Sequence, residues 1–363
     1  MRRTVATATA GKRGFALPAV LTVTTALTLV FLTALLSLEG LRDEARNAVA
    51  LETFHREALS AEARVAFLAL TEPFGPRGIQ VGGQLYDPVT GAPLPTPASQ
   101  GDSLDAAVQQ QILIDGTPYV YAAGDGSQDA LVMELQDEAG LVNLNYANSD
   151  AVSAAFQRAG ADPLLADTLA DQLHDYISAS GAPSLNGADS ADYQRAGVAP
   201  PPGRPLETWA QLYGLLALRG GSAVDMGRLR SFAMVAPVST INVNTAPSEA
   251  LMTWFPISEG LAQDIVQSRQ KQPITSLSAL AVPMPPSEMQ QYYFPDGNLR
   301  LTFTDPAIPA VYRARFELSP NDPQRPFWIL DSQIVQQPTN ARVRQDVSQL
   351  PRFPDITSPA PGG

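Results

Sequence analysis

The sequence of 363 residues contains no cysteine and only two histidines. The absence of cysteine excludes disulfide bonds, a thiol nucleophile and a lipid-modified cysteine anchor. His55 lies on the polar face of a predicted helix, and His174 is followed by Asp175, which a helix turns away from it. The chain also lacks a Gly-x-Ser-x-Gly elbow, a P-loop and a His-Glu-x-x-His motif. We therefore predict that the protein is not an enzyme.

Positive charge is scarce as well. The chain has 24 lysines and arginines against 36 acidic residues, which gives a formal net charge of -12. Such an acidic surface repels phosphate backbones, so the composition predicts no binding of nucleic acid. Four of the cations, Arg2, Arg3, Lys12 and Arg13, precede Gly14.

No charged residue lies between Gly14 and Glu39. As a helix, residues 14–38 would measure about 37 Å, and a bilayer core measures about 30 Å. Because the cations come first, the positive-inside rule places residues 1–13 in the cytoplasm. We therefore predict a single-pass protein of the cell inner membrane, with the bulk of the chain in the periplasm.

The position of Gly14 relative to the apolar run is unusual. An ordinary signal peptide is cut after its apolar region, whereas Gly14 lies before it. The order Lys12-Arg13-Gly14-Phe15 resembles the class III leader of type IV prepilins and type II secretion pseudopilins. That resemblance implies cleavage after Gly14 and methylation of Phe15 by a prepilin peptidase. An uncut signal anchor carrying a periplasmic domain would show the same charges and apolar length, and stays open.

The rest of the chain predicts a helical block inserted into an α+β domain. Apolar residues at three- and four-residue spacing predict one helix from about Ala16 to Leu70. Strands are predicted on both sides of the block, and the first two are expected to join across Asp115-Gly116. The predicted strands are Gln109–Ile114, Pro118–Ala122, Ala130–Leu135, Leu299–Thr304, Val311–Leu318 and Phe327–Val335.

The helical block contains an internal repeat. Residues 141–147 match residues 240–246, and two helical stretches follow each copy. The shared pattern, Asn-apolar-Asn-x-Ala, predicts the entry of a helix, with asparagines that bond backbone groups in turns or caps. We interpret these asparagines as structural and not as ligands.

The prepilin-type leader, the long helix, the strands, Asp137-Glu138-Ala139-Gly140 and the two asparagine motifs together resemble the minor pseudopilin K family of type II secretion. The resemblance implies an α+β, pilin-like fold with a long N-terminal transmembrane and amphipathic helix packed on an antiparallel sheet. It also implies an inserted all-α domain with two helix-hairpin-helix or SAM-like repeats. Counting from Phe15, Ala19 stands where most pilins carry a glutamate, and the K subunit lacks that glutamate.

The resemblance also implies a role, partners and domain divisions. A K subunit caps a periplasmic pseudopilus together with I- and J-type minor pseudopilins, and it assembles with the major pseudopilin. The predicted divisions are a leader (1–14), a transmembrane part (15–38), a first pilin-like part (39–140), a helical insert (141–284), a second pilin-like part (285–335) and a Pro-rich mobile tail (336–363).

A runner-up function remains open at this point. The second repeat is similar to the helix-hairpin-helix of competence DNA receptors, so a minor pilin or a membrane-tethered periplasmic binding protein of a type IV pilus or DNA-uptake-like system is an alternative. That motif binds phosphate through paired glycines, which are absent from Pro256–Gly260, and Glu259 adds a negative charge. We therefore interpret the hairpin as a scaffold.

Calcium is the one cofactor that the resemblance brings up. Some K subunits bind calcium through acidic loops in the insert, and Asp175, Asp189 and Asp192 stand at matching positions here. Ser178 and Ser180 replace carboxylates of the family pattern, and calcium prefers six to eight oxygens. We predict no cofactor and a loop that is stabilised without metal, with a weak calcium site as the alternative.

Overall fold

A computed structural model describes residues 16–81, 111–121, 131–179, 182–221, 223–236, 240–276, 290–319, 322, 324–336 and 347–354. The helices are α1 (Ala16–Thr71), α2 (Ser149–Arg158), α3 (Pro163–Ile177), α4 (Ser190–Arg195), α5 (Trp209–Leu212), α6 (Met226–Phe232), α7 (Ser248–Trp254) and α8 (Glu259–Lys271). The strands are β1 (Phe74–Gly75), β2 (Gly78–Gln80), β3 (Gln111–Leu113), β4 (Asp115–Tyr121), β5 (Leu131–Asp137), β6 (Val142–Asn143), β7 (Ala233–Met234), β8 (Thr240–Asn242), β9 (Gln290–Tyr292), β10 (Asn298–Thr304), β11 (Ala310–Leu318) and β12 (Phe327–Gln336). Two compact units are distinguished, Met1–Arg56 and Glu57–Gly363.

Helix α1 runs for 56 residues, within one residue of the predicted bounds. In the second unit its buried residues, Ala58, Ala61, Val65 and Leu68, recur every three or four positions. This spacing places them on one face of the helix. Buried Glu62 on the same stretch accepts a hydrogen bond from the Tyr312 hydroxyl of β11. For the part of α1 in the second unit, the expected packing on an antiparallel sheet is therefore confirmed.

The main sheet has five antiparallel strands in the order β12-β11-β10-β5-β4. Strands β4 and β5 precede the helical block in sequence, whereas β10, β11 and β12 follow it. Leu299, Leu301 and Phe303 of β10 are fully buried. Arg300 and Thr302, which alternate with them, lie on the opposite, polar face. This arrangement confirms that the strands of the α+β domain come from both sides of the block.

The prediction of a hairpin across Asp115-Gly116 is wrong. Within the described residues 111–121, β3 pairs with β2 in a three-stranded sheet, and β4 pairs with β5 in the main sheet. Asp115 accepts hydrogen bonds from the backbone N–H and the hydroxyl of Thr117, at 3.2 and 2.6 Å. Gly116 has φ +82°, and the register of β4 shifts between Asp115 and Pro118. The Asp-Gly signal therefore marks a bulge, which also uses positive φ.

The helical block consists of two repeats with the same order of elements. The first repeat is β6 followed by α2 and α3, and the second is β8 followed by α7 and α8. Each begins with a short parallel strand pair, β6 with β7 and β8 with β9. One apolar core joins both repeats, and it includes Phe156, Leu169, Phe232, Leu251 and Ile265. The two predicted helical stretches after each asparagine motif are confirmed.

Part of the C-terminal segment is packed against the sheet. The Val120 N–H donates to the Pro351 carbonyl at 2.8 Å, and the Phe353 N–H donates to the Val120 carbonyl at 2.8 Å. The Phe353 ring lies against Tyr119 and Tyr121, with centroids 6.2 and 5.8 Å away. For residues 347–354 the structure thus differs from the predicted mobile tail, because the sequence did not reveal this aromatic contact.

Candidate functional site

The N-terminal part of α1 has the properties of a membrane anchor. Among the described residues, one helix is long and apolar enough to cross a membrane, and none of its most apolar stretch is buried. Ala19 lies near the beginning of this helix. Gly14 and Phe15, the predicted processing site, lie outside the described residues.

The first asparagine motif forms a buried loop that holds distant parts of the block together. Asn143 accepts a hydrogen bond from the Asn145 N–H at 3.0 Å. The Asn145 side chain accepts from the Leu206 N–H at 2.8 Å and donates to the Leu206 carbonyl at 2.9 Å. It donates to the Ala236 carbonyl as well, at 3.0 Å. The motif therefore connects β6 to two later segments.

The second asparagine motif repeats this arrangement. Asn242 accepts from the Asn244 N–H at 3.0 Å. The Asn244 side chain accepts from the Ile274 N–H at 2.8 Å and donates to the Ile274 carbonyl at 2.9 Å and the Tyr293 carbonyl at 3.1 Å. The side-chain oxygens of Asn242 and Asn244 both accept from backbone N–H groups, which confirms that these asparagines bond backbone groups.

The Asp137–Gly140 turn lies against the second asparagine motif. One Asp137 carboxylate oxygen accepts from the Asn242 amide and the Thr245 hydroxyl, both at 2.8 Å. A side chain on Gly140 would come within 2.7 Å of Thr245, so glycine is needed here. Burial and the carboxylate of Asp296 raise the pKa of Asp137 to about 8, against these hydrogen bonds. Asp137 therefore takes up a proton at a higher pH than an exposed aspartate does.

Glu138 connects this turn to the polar face of the main sheet. Its carboxylate accepts two hydrogen bonds from Arg315, both at 2.7 Å, and one from Arg300 at 3.4 Å. Arg300 also donates to the Arg230 carbonyl of α6, at 2.5 Å. Burial by itself would raise the pKa of Glu138, but Arg315 and Arg300 lower it below its ordinary value. Glu138 is therefore a buried, ionised link between the sheet and the helical block.

A second ionic link joins β4 to the second repeat. The buried Arg269 donates to the Val243 and Ala246 carbonyls at 2.7 and 2.5 Å. It also lies 3.7 Å from the carboxylate of Asp115. Burial lowers the pKa of Arg269 to about 10, although Asp115 opposes the shift. Arg269 stays protonated at neutral pH and holds the second asparagine loop against the sheet.

The partners of Glu138 and Arg269 were not singled out from the sequence. For Glu138 the signals were the adjacent acids Asp137-Glu138 at a strand end and the alternating cations Arg313 and Arg315 of β11, of which Arg315 pairs with it. A buried carboxylate needs such partners.

The hairpin of the second repeat is an exposed turn between α7 and α8. Ser258 caps α8 by accepting from the Leu261 N–H at 3.3 Å. Glu259 and Gly260 are exposed directly after it. The carboxylate of Glu259 thus stands at the helix N-terminus, where a phosphate would have to approach. This geometry fits the interpretation of the hairpin as a scaffold.

The three aspartates considered for calcium are not brought together. Asp175 and Asp189 line one pocket of about 390 Å³, whereas Asp192 is not part of its lining. Asp175 accepts from the Ser184 and Ala188 N–H groups, at 3.0 and 3.1 Å. Among the described residues, no group of three histidine, aspartate or glutamate side chains is placed to hold a metal ion.

Asp189 and Asp192 stabilise the N-terminus of α4. Asp189 caps α4 by accepting from the N–H groups of Asp192 and Ala191, at 3.0 and 2.8 Å. These hydrogen bonds lower the pKa of Asp189. Asp192 accepts in turn from the Asp189 N–H at 2.9 Å and pairs with Arg195. The two carboxylates at the pocket, Asp175 and Asp189, thus both accept hydrogen bonds from backbone N–H groups.

Two family models match the two repeats in succession. The first, type II secretion system protein K, matches residues 131–238, and the second, with the same description, matches residues 241–289. The matched segments begin at β5 and at β8, and they contain both asparagine motifs. Both matched segments belong to the type II secretion system protein K family. The members of that family are minor pseudopilins, which are structural proteins, and α1 fits a single-pass membrane anchor.

Other comparisons add little to the protein K assignment. No curated protein matches the chain significantly. The chain is similar to one in the crystal structure of the GspK-GspI-GspJ complex from the type 2 secretion system of enterotoxigenic Escherichia coli. The sequence identity is 14%, the alignment covers 80% of this chain and 99% of that chain, and the TM-score is 0.47.

Proposed function

We propose that this protein K family member stands at the tip of a periplasmic type II secretion pseudopilus and assists the export of folded proteins. The observation that carries the proposal is the succession of an exposed apolar helix and two segments that match protein K. The two protein K matches favour this role over a minor pilin of a type IV pilus or a DNA-uptake-like system.

The chain enters the inner membrane through α1 and keeps its second unit in the periplasm. A prepilin peptidase cuts after Gly14 and leaves Phe15 as the mature amino terminus. Ala19 then occupies the fifth mature position, where a glutamate would pair with the terminal amine of a neighbouring subunit. A subunit at the tip has no upper neighbour, so it has no need of a carboxylate that is costly in a membrane.

The periplasmic part of α1 offers a surface for neighbouring subunits. Leu59, Phe67 and Leu70 are exposed on it by 45, 56 and 38%. Their spacing of eight and three residues places them on one side of the helix. An exposed apolar stripe of this kind favours lateral packing. The partners proposed for it are the I- and J-type minor pseudopilins, with the major pseudopilin below them.

The experiment that tests this role combines assembly and export. Full-length protein with Phe67→Glu should lose co-purification with its I and J partners and should fail to restore secretion to a strain lacking the gene. Leu185→Glu is the matched control, because Leu185 is 97% exposed in a loop of the second unit. Normal secretion with Phe67→Glu, or equal loss with Leu185→Glu, would contradict the proposed assembly surface.

We also propose that the loop around Asp175 and Asp189 works without calcium. Its support is the set of hydrogen bonds that these carboxylates already accept. The loop is thereby stabilised by its own backbone, and it needs no metal to hold the segment between α3 and α4.

A further inference from the structure

A cavity of about 350 Å³ lies between the polar face of the main sheet and helices α5 and α6. Arg313 of β11 and Gln333 of β12 line its sheet side, and Trp209 and Arg230 line its helical side. Clefts that bind small ligands measure about 300–1,000 Å³, so the cavity is large enough for a side chain of another molecule. Neither the fold nor the family assignment uses it.

Two guanidinium groups in this cavity have no hydrogen-bond or ion-pair partner in the part of the chain that the structure describes. They belong to Arg230 and Arg313. The Nε atom of Arg230 is buried and unbonded, while its guanidinium carbon lies 5.2 Å from the centroid of the Trp209 ring. Burial lowers the pKa of Arg313, and the positive charge of Arg230 lowers it further.

The other two arginines of the cavity provide the contrast. Arg300 and Arg315 both pair with Glu138 at 3.4 and 2.7 Å, so their charges are compensated within the protein. The carboxylate of Glu134 attracts Arg313, but burial raises the pKa of Glu134. Its negative charge is therefore less favoured, and it compensates Arg313 less well. A buried guanidinium nitrogen without a hydrogen bond, such as Nε of Arg230, is costly, and an anion in the cavity would give both arginines a counter-charge. The cavity is therefore built to receive a negative charge.

The remaining lining residues indicate which anion fits. Asp115 and Asp331 also line the cavity, and their negative charges disfavour a doubly charged phosphate. A singly charged, planar carboxylate matches the fork of an arginine side chain. Thr302, Ser231 and Gln333 add groups that can bond a peptide backbone, and the Trp209 ring adds an apolar wall.

We propose that this cavity binds the carboxylate of an aspartate or glutamate side chain in an acidic segment of another protein. Arg230 and Arg313 bind the carboxylate, and Trp209 contacts the neighbouring part of the segment. The inference does not depend on the position at the pseudopilus tip, because it rests on the charges within one subunit. A chain whose net charge is -12 thereby keeps a cationic recess.

The test uses the full-length protein in detergent and its tryptophan fluorescence. The probe is an acetylated and amidated Gly-Asp-Gly peptide, compared with Gly-Asn-Gly and with inorganic phosphate. The aspartate peptide should change the fluorescence saturably, and Trp209→Phe should remove that change. Arg230→Gln and Arg313→Gln should each weaken binding by about tenfold, the loss of about 1.4 kcal/mol that one charge-assisted hydrogen bond entails.

Matched controls separate a ligand site from a structural one. Arg325 lies 4.9 Å from the Trp328 ring, outside this cavity, so Arg325→Gln should bind the peptide normally. Arg313→Lys keeps the charge and should restore part of the affinity, and if Arg313→Gln does not fold, Arg230→Gln decides. Equal binding of Gly-Asn-Gly, tighter binding of phosphate, no binding, or undiminished binding in both glutamine variants would overturn the proposal.

Discussion

The side chains of Asn145 and Asn244 make the same hydrogen bonds in the two repeats. Each accepts from and donates to the backbone of one distant residue, Leu206 or Ile274. Each also donates to a carbonyl of a further segment, Ala236 or Tyr293. Both copies of the sequence motif thus bond a buried loop to segments that lie much later in the sequence.

Replacement of either asparagine by alanine should destabilise the protein by about 2–3 kcal/mol, because buried backbone groups lose their partners. Asn148→Ala is the control, since Asn148 caps α2 with a single hydrogen bond to Ala151. That change should cost about 1 kcal/mol. Urea unfolding of the three variants measures the differences in the free energy of unfolding. Equal losses in Asn145→Ala and Asn148→Ala would argue against a stabilising role of the Asn145 hydrogen bonds.

Glu138→Gln should destabilise the protein by about 3–5 kcal/mol, because it leaves Arg300 and Arg315 partly buried without a counter-charge. The pKa of Glu138 is lowered in the folded state, so its stabilisation is complete above the ordinary pKa of a glutamate. It disappears as the pH falls through the lowered value. Glu207→Gln, which breaks an exposed pair with Arg204, should have little effect in the same unfolding measurements.

Asp137 should give the opposite dependence on pH. Its pKa is raised to about 8 in the folded state, so the folded protein holds a proton that the unfolded chain releases. The free energy of unfolding should therefore fall as the pH rises from about 4 to 8, and this fall should be smaller in Asp137→Asn, where only Asp296 and Glu134, whose pKa values are also raised, still contribute. An amide mimics the protonated acid, so a parallel decline in both proteins would contradict the raised pKa.

These two neighbouring acids show what sequence alone can and cannot provide. The Asp137–Gly140 motif was recognisable, and so were both asparagine motifs and the bounds of α1, because apolar spacing and local patterns carry that information. The partners Arg300, Arg315 and Asp296 were not, because they come from strands and turns more than a hundred residues away. Asp115-Gly116 was misinterpreted because a hairpin and a bulge use the same residues.

The small sheet formed by β1, β2 and β3 was missed for a related reason. Gly78 lies so close to β3 that a Cβ atom would be 1.9 Å from the Ile112 carbonyl oxygen. Glycine permits this close backbone approach, yet in the sequence it suggests a loop. The aspartates matched to the calcium pattern also fit a second pattern, because Asp189 and Asp192 form the capping box of α4.

Gly14→Leu should leave the precursor uncut, because a peptidase must accommodate the residue beside the bond that it cleaves. Gly11→Leu, in the same leader, should be processed normally and begin at Phe15. Mass spectrometry of the amino terminus of membrane-extracted protein distinguishes the two products. A mature terminus at Phe15 in Gly14→Leu would refute the assigned cleavage site.

Calcium should raise the melting temperature of the protein little or not at all, because Asp175 and Asp189 already accept hydrogen bonds from the loop. Asp189→Ala should lower the melting temperature equally with calcium and with a chelator, since it removes the cap of α4. Thermal unfolding under both conditions measures this. A large stabilisation by calcium that Asp189→Ala abolishes would show that the loop does bind metal.

The parallel strand pairs have a consequence for the order of folding. Strand β6 pairs only with β7, and β8 pairs only with β9, among the described residues. Each repeat is therefore completed by contacts between residues that are distant in sequence. Contacts of this kind form slowly, because a long loop must first be closed. If the chain crosses the membrane amino end first, the second repeat stays open until Tyr293 has emerged. The helices can form early, but the hydrogen bond from Asn244 to the Tyr293 carbonyl has to be one of the last contacts to form.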